Sequence, residues 1–220
     1  QYPYLYTQYL GTQLAIYFQL NTQRCRIINV NNEQYLLTED IRDYEPVKGM
    51  EPLSYYGHNL ISEETNPDLL YSELKAHVKN EVSGFFTQML IFDFLISNNQ
   101  RDARSIRIFD LDSDALAKFT FKELTNSFNF LIENNFGAAK WSEDKRKIIS
   151  TDELTQFIIK HKTEEAAKQM FNRLNPKKIV TKILSLGAIP EVIRHEAAEM
   201  FHERYEQMLT VEDVIYGDEA

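Results

Sequence analysis

The segment from Ile91 to Asp110 constrains the fold more than any other part of the sequence, because it joins three kinds of local structure without a gap. An apolar run that predicts the end of a buried helix leads into a polar stretch, and an alternating run at 106–109 predicts a strand immediately afterwards. Asn98 and Asn99 favour a turn between them, since asparagine side chains hydrogen-bond to nearby backbone groups. A buried helix that delivers a polar turn is an arrangement that holds a functional site in place.

The N-terminal part predicts one helix followed by a β-hairpin. Apolar and aromatic residues recur at helical spacing over 3–19. Two apolar-rich runs, Arg24–Val30 and Glu33–Thr38, are joined by Asn31–Asn32, and asparagine tolerates the positive φ that a tight hairpin turn requires. Residues 40–64, which contain several prolines and glycines, are predicted to form a loop.

The middle of the chain predicts two helical pieces and a second hairpin. Asn66–Pro67 is a strong helix start, because asparagine caps free amides and proline suits the first helical position. The helix is expected to bend near Ser83–Gly84 and then to run, apolar on nearly all sides, into the turn. Residues 105–110 and 115–121 are predicted to pair around Asp112–Ser113.

The last third predicts only helices. Ser150 and Glu153 have the spacing of a capping box, and further starts are expected at Thr163, at Asn175–Pro176 and at Pro190, the last helix reaching about Met208. The predicted fold class is therefore α+β and mostly helical, with short β-hairpins and a helical C-terminal block. The division predicted is an N-terminal subdomain at 1–65 and a helical lobe at 66–220.

Composition excludes some classes of function. The net charge is −9 and the isoelectric point is about 5.1, which argues against nucleic acid as a partner. No run approaches the roughly 18 to 20 apolar residues that cross a bilayer, so no membrane association is expected. Cys25 is the single cysteine, which suits a cytoplasmic location, and its apolar setting predicts a buried residue and not a nucleophile.

The polar turn resembles the catalytic loop of the HipA-like protein kinases, in which a helix ends in Asn-x-Asp-Arg-His-x-x-Asn. Asn98 and Arg101 match that pattern. Gln100 replaces the aspartate that orients the substrate hydroxyl in the family, Asp102 replaces the histidine, and Ser105 replaces the asparagine that holds magnesium. The resemblance implies a kinase-like C-terminal lobe in which the frame of the site survives and its chemistry is lost.

Two further family features are missing at the expected places. The family holds the nucleotide phosphates with an upstream lysine, whereas the first lysine here is Lys48 and no glycine-rich loop precedes it. The second metal ligand belongs to an Asp-x-Gly near residues 120–130, a region that contains neither aspartate nor glycine. No cofactor is therefore expected.

Three functional hypotheses follow. The favoured one is a catalytically degenerate HipA-like domain that acts by binding another protein, in regulation or in a toxin–antitoxin type of system. The alternative is a divergent ATP- and magnesium-dependent Ser/Thr kinase, with Asp102 as the base, Asp110 or Asp112 as the magnesium ligand, and the phosphate-binding lysine outside this fragment, which begins with Gln1. The third is a helical interaction domain unrelated to kinases.

One other group of residues has a spacing that metal ligands on a helix can show. His195, Glu199 and His202 lie at i, i+4 and i+7 on the final predicted helix and so share one face. A solvated charged face explains this spacing more simply, because metal sites on helices need ligands from a second helix.

Overall fold

The structure, a computed structural model, describes residues 3–20, 22–39, 51–52, 64–77, 82–98, 101–109, 118–121 and 149–217. Its elements in chain order are α1 (Pro3–Tyr17), β1 (Cys25–Val30), β2 (Glu33–Thr38), β3 (Glu51–Pro52), α2 (Pro67–His77), α3 (Val82–Leu95), β4 (Ile106–Phe109), β5 (Lys118–Phe121), α4 (Thr151–His161), α5 (Glu164–Phe171), α6 (Pro176–Leu184) and α7 (Glu191–Gly217). The predicted fold class, α+β and mostly helical, is confirmed.

The first hairpin forms in the predicted register. Strands β1 and β2 pair antiparallel from Cys25 opposite Thr38 to Val30 opposite Glu33. Both turn residues have positive φ, 51° at Asn31 and 65° at Asn32. Two consecutive left-handed residues are the mark of a type I′ turn, whose twist matches that of the strands, so the asparagine pair was the correct signal.

A second, three-stranded sheet contains the strand that follows the turn. Strands β4 and β5 pair as predicted, with Ile106 opposite Phe121. The prediction of a continuous loop over 40–64 was wrong at Glu51–Pro52, because this short strand pairs with β4. Proline is tolerated there because β3 lies at the sheet edge, where its missing N–H leaves no ladder bond unmade.

The helix starts of the C-terminal block are largely as predicted. Ser150 and Glu153 form the full capping box on α4, and the Asn175 side chain accepts the Lys178 amide at the start of α6. Thr163 precedes α5 but does not cap it. Its hydroxyl instead accepts a hydrogen bond from Thr87 of α3 at 2.8 Å, so a tertiary contact has replaced the local one.

One helix boundary differs from the prediction. The two middle helices are separate elements, and α3 begins at Val82, one residue before the predicted bend near Ser83–Gly84. Helix α7 continues to Gly217 instead of ending near Met208. The extension is explained by Met208, Val211 and Ile215, which repeat at intervals of three and four and are all buried.

Helix α3 is the centre of the core, as its apolar sequence predicted. Phe86, Phe92 and Phe94 of this helix are completely or almost completely buried, and one cluster of buried apolar residues extends from α1 through α3 to α7. The Phe18 ring lies 5.8 Å from that of Phe92, which ties the end of α1 to α3. The division at residue 65 stays a prediction.

Cys25 is buried against α1, where its thiol lies 3.9 Å from the Gln8 carbonyl oxygen. Burial raises the pKa of the Cys25 thiol, which disfavours the reactive thiolate and agrees with the prediction of a small buried residue. Within the ranges given above, none of the helices has both the length and the apolar character required to span a membrane.

Candidate functional site

Helix α3 ends in a Schellman motif that aims the chain into the turn. The Asn98 amide donates to the Asp93 carbonyl oxygen at 2.8 Å and the Ser97 amide to that of Phe94 at 3.1 Å. Ser97 has a φ of 54°, the left-handed conformation for which glycine is preferred at this position. A non-glycine residue in this conformation costs about 1–2 kcal/mol.

Asp93 is the residue around which the turn is built. Arg101 donates to both of its carboxylate oxygens at 2.7 Å, from Nε to Oδ2 and from Nη2 to Oδ1. The Asn98 side-chain amide donates to Oδ1 at 2.8 Å. The Arg101 and Asp93 side chains are 6% and 4% exposed, so this bidentate ion pair lies out of water. Such a pair fixes geometry, because either charge alone would be left buried without an ionic partner.

Asp102 is fully engaged within the turn. Its Oδ1 accepts the backbone amides of Arg104 and Ser105 at 3.0 and 3.1 Å, and its Oδ2 accepts Nε and Nη2 of Arg104 at 3.0 and 2.6 Å. An ionised carboxylate offers about four acceptor sites, and these four donors match that number. The Asp102 side chain is 4% exposed, whereas that of Arg104 is 48% exposed.

Ser105 closes the same turn. Its hydroxyl donates to the Asp102 carbonyl oxygen at 2.8 Å and accepts the Asp102 amide at 3.2 Å. Arg101 Nη1 lies 3.4 Å from the same oxygen. The hydroxyl therefore satisfies backbone groups within a buried turn.

A contact from the C-terminal helix also reaches the turn. Arg204 of α7 donates from Nε to the Ser97 hydroxyl oxygen at 3.0 Å, and its guanidinium carbon lies 5.2 Å from the Phe94 ring centroid. Burial lowers the pKa of the Arg204 guanidinium, an effect that Glu203 opposes. Arginine nevertheless stays protonated at any ordinary pH, so the donor is permanent.

The turn borders a cleft of about 500 Å³ between the start of α2, the end of α3 and helix α4. Its lining combines buried polar groups of the turn, apolar side chains, and charged residues that are half exposed or exposed: Asp93, Asn98 and Arg101 in the first set, Leu90 and Phe157 in the second, Asp68, Glu153 and Lys160 in the third. A cleft of this size with convergent polar groups on apolar walls is typical of ligand or peptide binding.

Asp68 joins α2 to α4 at this cleft. Lys160 Nζ donates to its Oδ2 at 2.8 Å, and His161 Nε2 lies 2.7 Å from its Oδ1. The hydrogen bond from Lys160, followed by the contact with His161, lowers the pKa of the Asp68 carboxyl. The His161 ring contacts the rings of both Tyr71 and Phe157, with each centroid 4.4 Å away, which orients the imidazole.

The structure brings together four of the residues singled out from the sequence. Asn98, Arg101, Asp102 and Ser105 are all buried within one turn. The other three candidates, Gln100, Asp110 and Asp112, lie outside the described residues.

The structure does not support a metal site at His195, Glu199 and His202. His195 and His202 each lie near a carboxylate of their own helix, Glu191 at 3.6 Å and Glu206 at 4.0 Å. In the portion of the chain that the structure describes, no three His, Cys, Asp or Glu side chains are placed to hold a metal ion.

Two residues that shape the site were missed from the sequence. Asp93 had a usable signal, because it is the only charged residue in the fourteen-residue helix α3, and a charge inside an otherwise apolar buried helix must have a partner. Arg204 had none, since its partner Ser97 is 107 residues away along the chain.

Comparison with known proteins identifies the fold. No protein-family model and no curated protein matches the sequence. The structure is similar to that of the Helicobacter pylori proinflammatory kinase CtkA, with a TM-score of 0.74 and 16% identity over 96% of this chain and 87% of that one.

It is also similar to HipA from Shewanella oneidensis, solved with HipB and operator DNA, with a TM-score of 0.70 and 14% identity over 96% of this chain. The chain spans 57% of the length of that HipA chain. The predicted resemblance is thus confirmed at the level of fold: this chain has the HipA-like kinase fold.

Proposed function

We propose that this chain is a catalytically degenerate HipA-like kinase-fold protein that acts by binding another protein. The observation that carries the proposal is that both carboxylate oxygens of Asp102 are fully occupied by hydrogen bonds from the turn. Asp102 is the only carboxylate in the sequence from Asn98 to Ser105, since Gln100 carries an amide. A general base must reach the proton of the nucleophile with an oxygen free to accept it. Both oxygens of Asp102 already hold the turn together.

The described part of the turn also does not fit a magnesium–nucleotide complex. Magnesium requires near-octahedral oxygen ligands, and phosphoryl transfer depends on such ions to neutralise charge. Ser105, at the position of the family's metal-binding asparagine, donates its hydroxyl proton to a backbone carbonyl and accepts a backbone amide. Using it as a ligand would require the turn to be rebuilt.

What the turn retains is a rigid polar surface beside a cleft. The Asp93–Arg101 pair and the Asn98 amide are held by one another, and the cleft that they border has apolar walls. Rigid placement of polar groups favours recognition, because less conformational freedom is lost on binding. This supports a binding role for the site after loss of phosphotransfer.

The kinase fold weighs against the alternative of a helical domain unrelated to kinases. The divergent kinase stays as the second candidate, because both neighbours named above carry the same fold and one is described as a kinase. That candidate requires Asp102 to release Arg104 and the phosphate-binding lysine to lie elsewhere.

A thermal-shift titration with ATP and magnesium together, with ATP alone and with magnesium alone separates the two candidates. A ligand at one hundred times its dissociation constant stabilises the native state by about 2.7 kcal/mol. No shift at millimolar nucleotide supports the proposal. A saturable magnesium-dependent shift, together with phosphotransfer that Asp102→Asn abolishes and Asp213→Asn does not, would overturn it.

The binding role is tested by comparing partners recovered with matched variants. Gln156→Lys places a long charged side chain on the lining of the cleft. Thr181→Lys makes the same change of charge at an exposed position of α6 that does not line the cleft. A protein recovered with the wild type and Thr181→Lys but lost with Gln156→Lys supports the cleft as the recognition site. Equal recovery by all three contradicts it.

A further inference from the structure

Three helices of the structure end with a non-glycine residue in the left-handed conformation. These residues are Gln19 after α1, Ser97 after α3 and Lys162 after α4, with φ values of 59°, 54° and 54°. In each case the next amide donates back to a carbonyl five residues earlier, as in a Schellman motif. All three helix ends therefore have the same left-handed backbone conformation and the same Schellman hydrogen bond.

Of these three helix ends, only the one at Ser97 has a side-chain hydrogen bond to another helix, which is called the tether below. Gln19 and Lys162 are exposed, and their side chains make no hydrogen bond or ion pair with described residues. Ser97 is 3% exposed, and its hydroxyl accepts a hydrogen bond from Arg204. The difference shows that the tether is not a general requirement of this backbone conformation.

Arg204, the α7 residue of the tether, is itself fixed by further contacts. Arg204 also donates from Nη1 to Gln207, one turn further along the same helix, at 3.1 Å, and its guanidinium lies over the Phe94 ring. Phe94 is buried in the core at the end of α3. The position of Arg204 is thus set by the packing of α7 against α3.

We propose that Arg204 is a positioning residue through which the C-terminal helix α7 controls the conformation of the turn at Ser97 and Asn98. Asn98 follows Ser97 directly and donates to Asp93, so a change at Ser97 reaches the ion pair that borders the cleft. Displacement of α7 by a partner would release the turn, and release of the turn would weaken the hold of α7. The regulatory meaning of this coupling rests on the proposed function of the site, whereas the coupling itself does not.

The test is amide hydrogen exchange measured residue by residue in matched arginine variants. Arg204→Met keeps the aliphatic stem and removes the donors, and Arg194→Met does the same to an arginine of α7 that donates to Leu184 instead of the turn. We expect exchange of the amides from Ser97 to Ser105 to rise roughly tenfold in Arg204→Met, as for the loss of one hydrogen bond to a charged group. Arg194→Met should leave those amides unchanged.

A rescue variant separates positioning from general stability. Glycine adopts the left-handed conformation without strain, so adding Ser97→Gly to Arg204→Met should return the turn amides to within about threefold of the wild type. If Arg204→Met does not fold, Ser97→Ala removes the same hydrogen bond from the other side and should give the same tenfold rise. A uniform rise over all helices, or no rescue by glycine, would overturn the proposal.

The outcome is independent of nucleotide and partner binding. Failure of the exchange test therefore removes the coupling without touching the proposed function. Conversely, a magnesium-dependent response to ATP would overturn the proposed function and leave the coupling of α7 to the turn intact.

Discussion

Breaking the buried ion pair of the turn should be more damaging than removing it altogether. Arg101→Met leaves Asp93 buried, with the Asn98 amide as its remaining partner among the contacts described above. Truncating one member of a buried pair typically costs about 3–5 kcal/mol, because the other charge is left uncompensated. At roughly 2–4 °C per kcal/mol for a protein of this size, the melting temperature should fall by about 6–20 °C.

The double variant Asp93→Leu/Arg101→Met removes both charges and leaves a different defect. The Asn98 side-chain amide loses Asp93 as an acceptor, at a cost of at most about 1–3 kcal/mol. Replacing a buried pair by apolar residues is otherwise often close to neutral. The double variant should therefore be more stable than Arg101→Met, although it carries one more substitution.

Chemical denaturation followed by circular dichroism measures these differences directly, with Asp213→Asn as the control. Asp213 is an exposed carboxylate of α7, and its loss should stay within about 0.5 kcal/mol. The reasoning is refuted if the double variant loses as much stability as Arg101→Met and a single Asp93→Leu variant added together, because additive losses mean that Asp93 and Arg101 do not depend on each other.

Three further predictions concern stability and its dependence on pH. Lys162→Gly should stabilise the protein by about 0.5–1 kcal/mol in denaturant unfolding, since an exposed lysine holds a left-handed position that suits glycine; a loss of stability would contradict this. Because its hydrogen bond with Lys160 lowers the pKa of Asp68, this carboxylate stabilises the fold above its ordinary value near pH 4 and the benefit disappears as the pH falls through the lowered pKa. Asp68→Asn should thus cost less than about 1 kcal/mol at neutral pH, the group being half exposed, and nothing in strong acid. The opposite pH dependence is expected at Glu212, because burial and then Asp213 raise the pKa of its carboxyl. Glu212→Gln should therefore stabilise the protein above about pH 5 by less than about 1 kcal/mol, with no gain below pH 4, when denaturant unfolding is measured at both pH values.

The elements that the sequence predicted well are those fixed by local chemistry. The Asn31–Asn32 turn and the capping box of Ser150 with Glu153 depend on residues within a few positions of one another. Strand β3 was not predictable in the same way, because Glu51–Pro52 is a strand only through its pairing with β4. Local propensity is informative where the partner is near in sequence and fails where the partner is distant.

The same distinction applies to the site. A match to a family pattern located the turn and four of its buried residues, yet it gave no indication of how those residues are bonded. The saturation of Asp102 depends on Arg104, an exposed side chain that the family pattern leaves unspecified. The hold of Arg204 on Ser97 depends on a helix more than a hundred residues later. Contacts of this kind follow from packing, which periodicity does not reveal.

The way in which the turn is stabilised explains how it could persist without phosphotransfer, as the proposed function requires. Asp93, Asn98 and Arg101 hold the turn through one another, and the loss of Asp93 or Arg101 removes the ionic partner of a buried charge. Asp102 and Ser105 are satisfied within the turn itself, so these two residues contribute to its stability. Functional sites usually store strain or unsatisfied groups that reactivity requires. A turn in which these polar groups are all paired lacks the unsatisfied groups of a reactive site, which agrees with the proposed role in recognition.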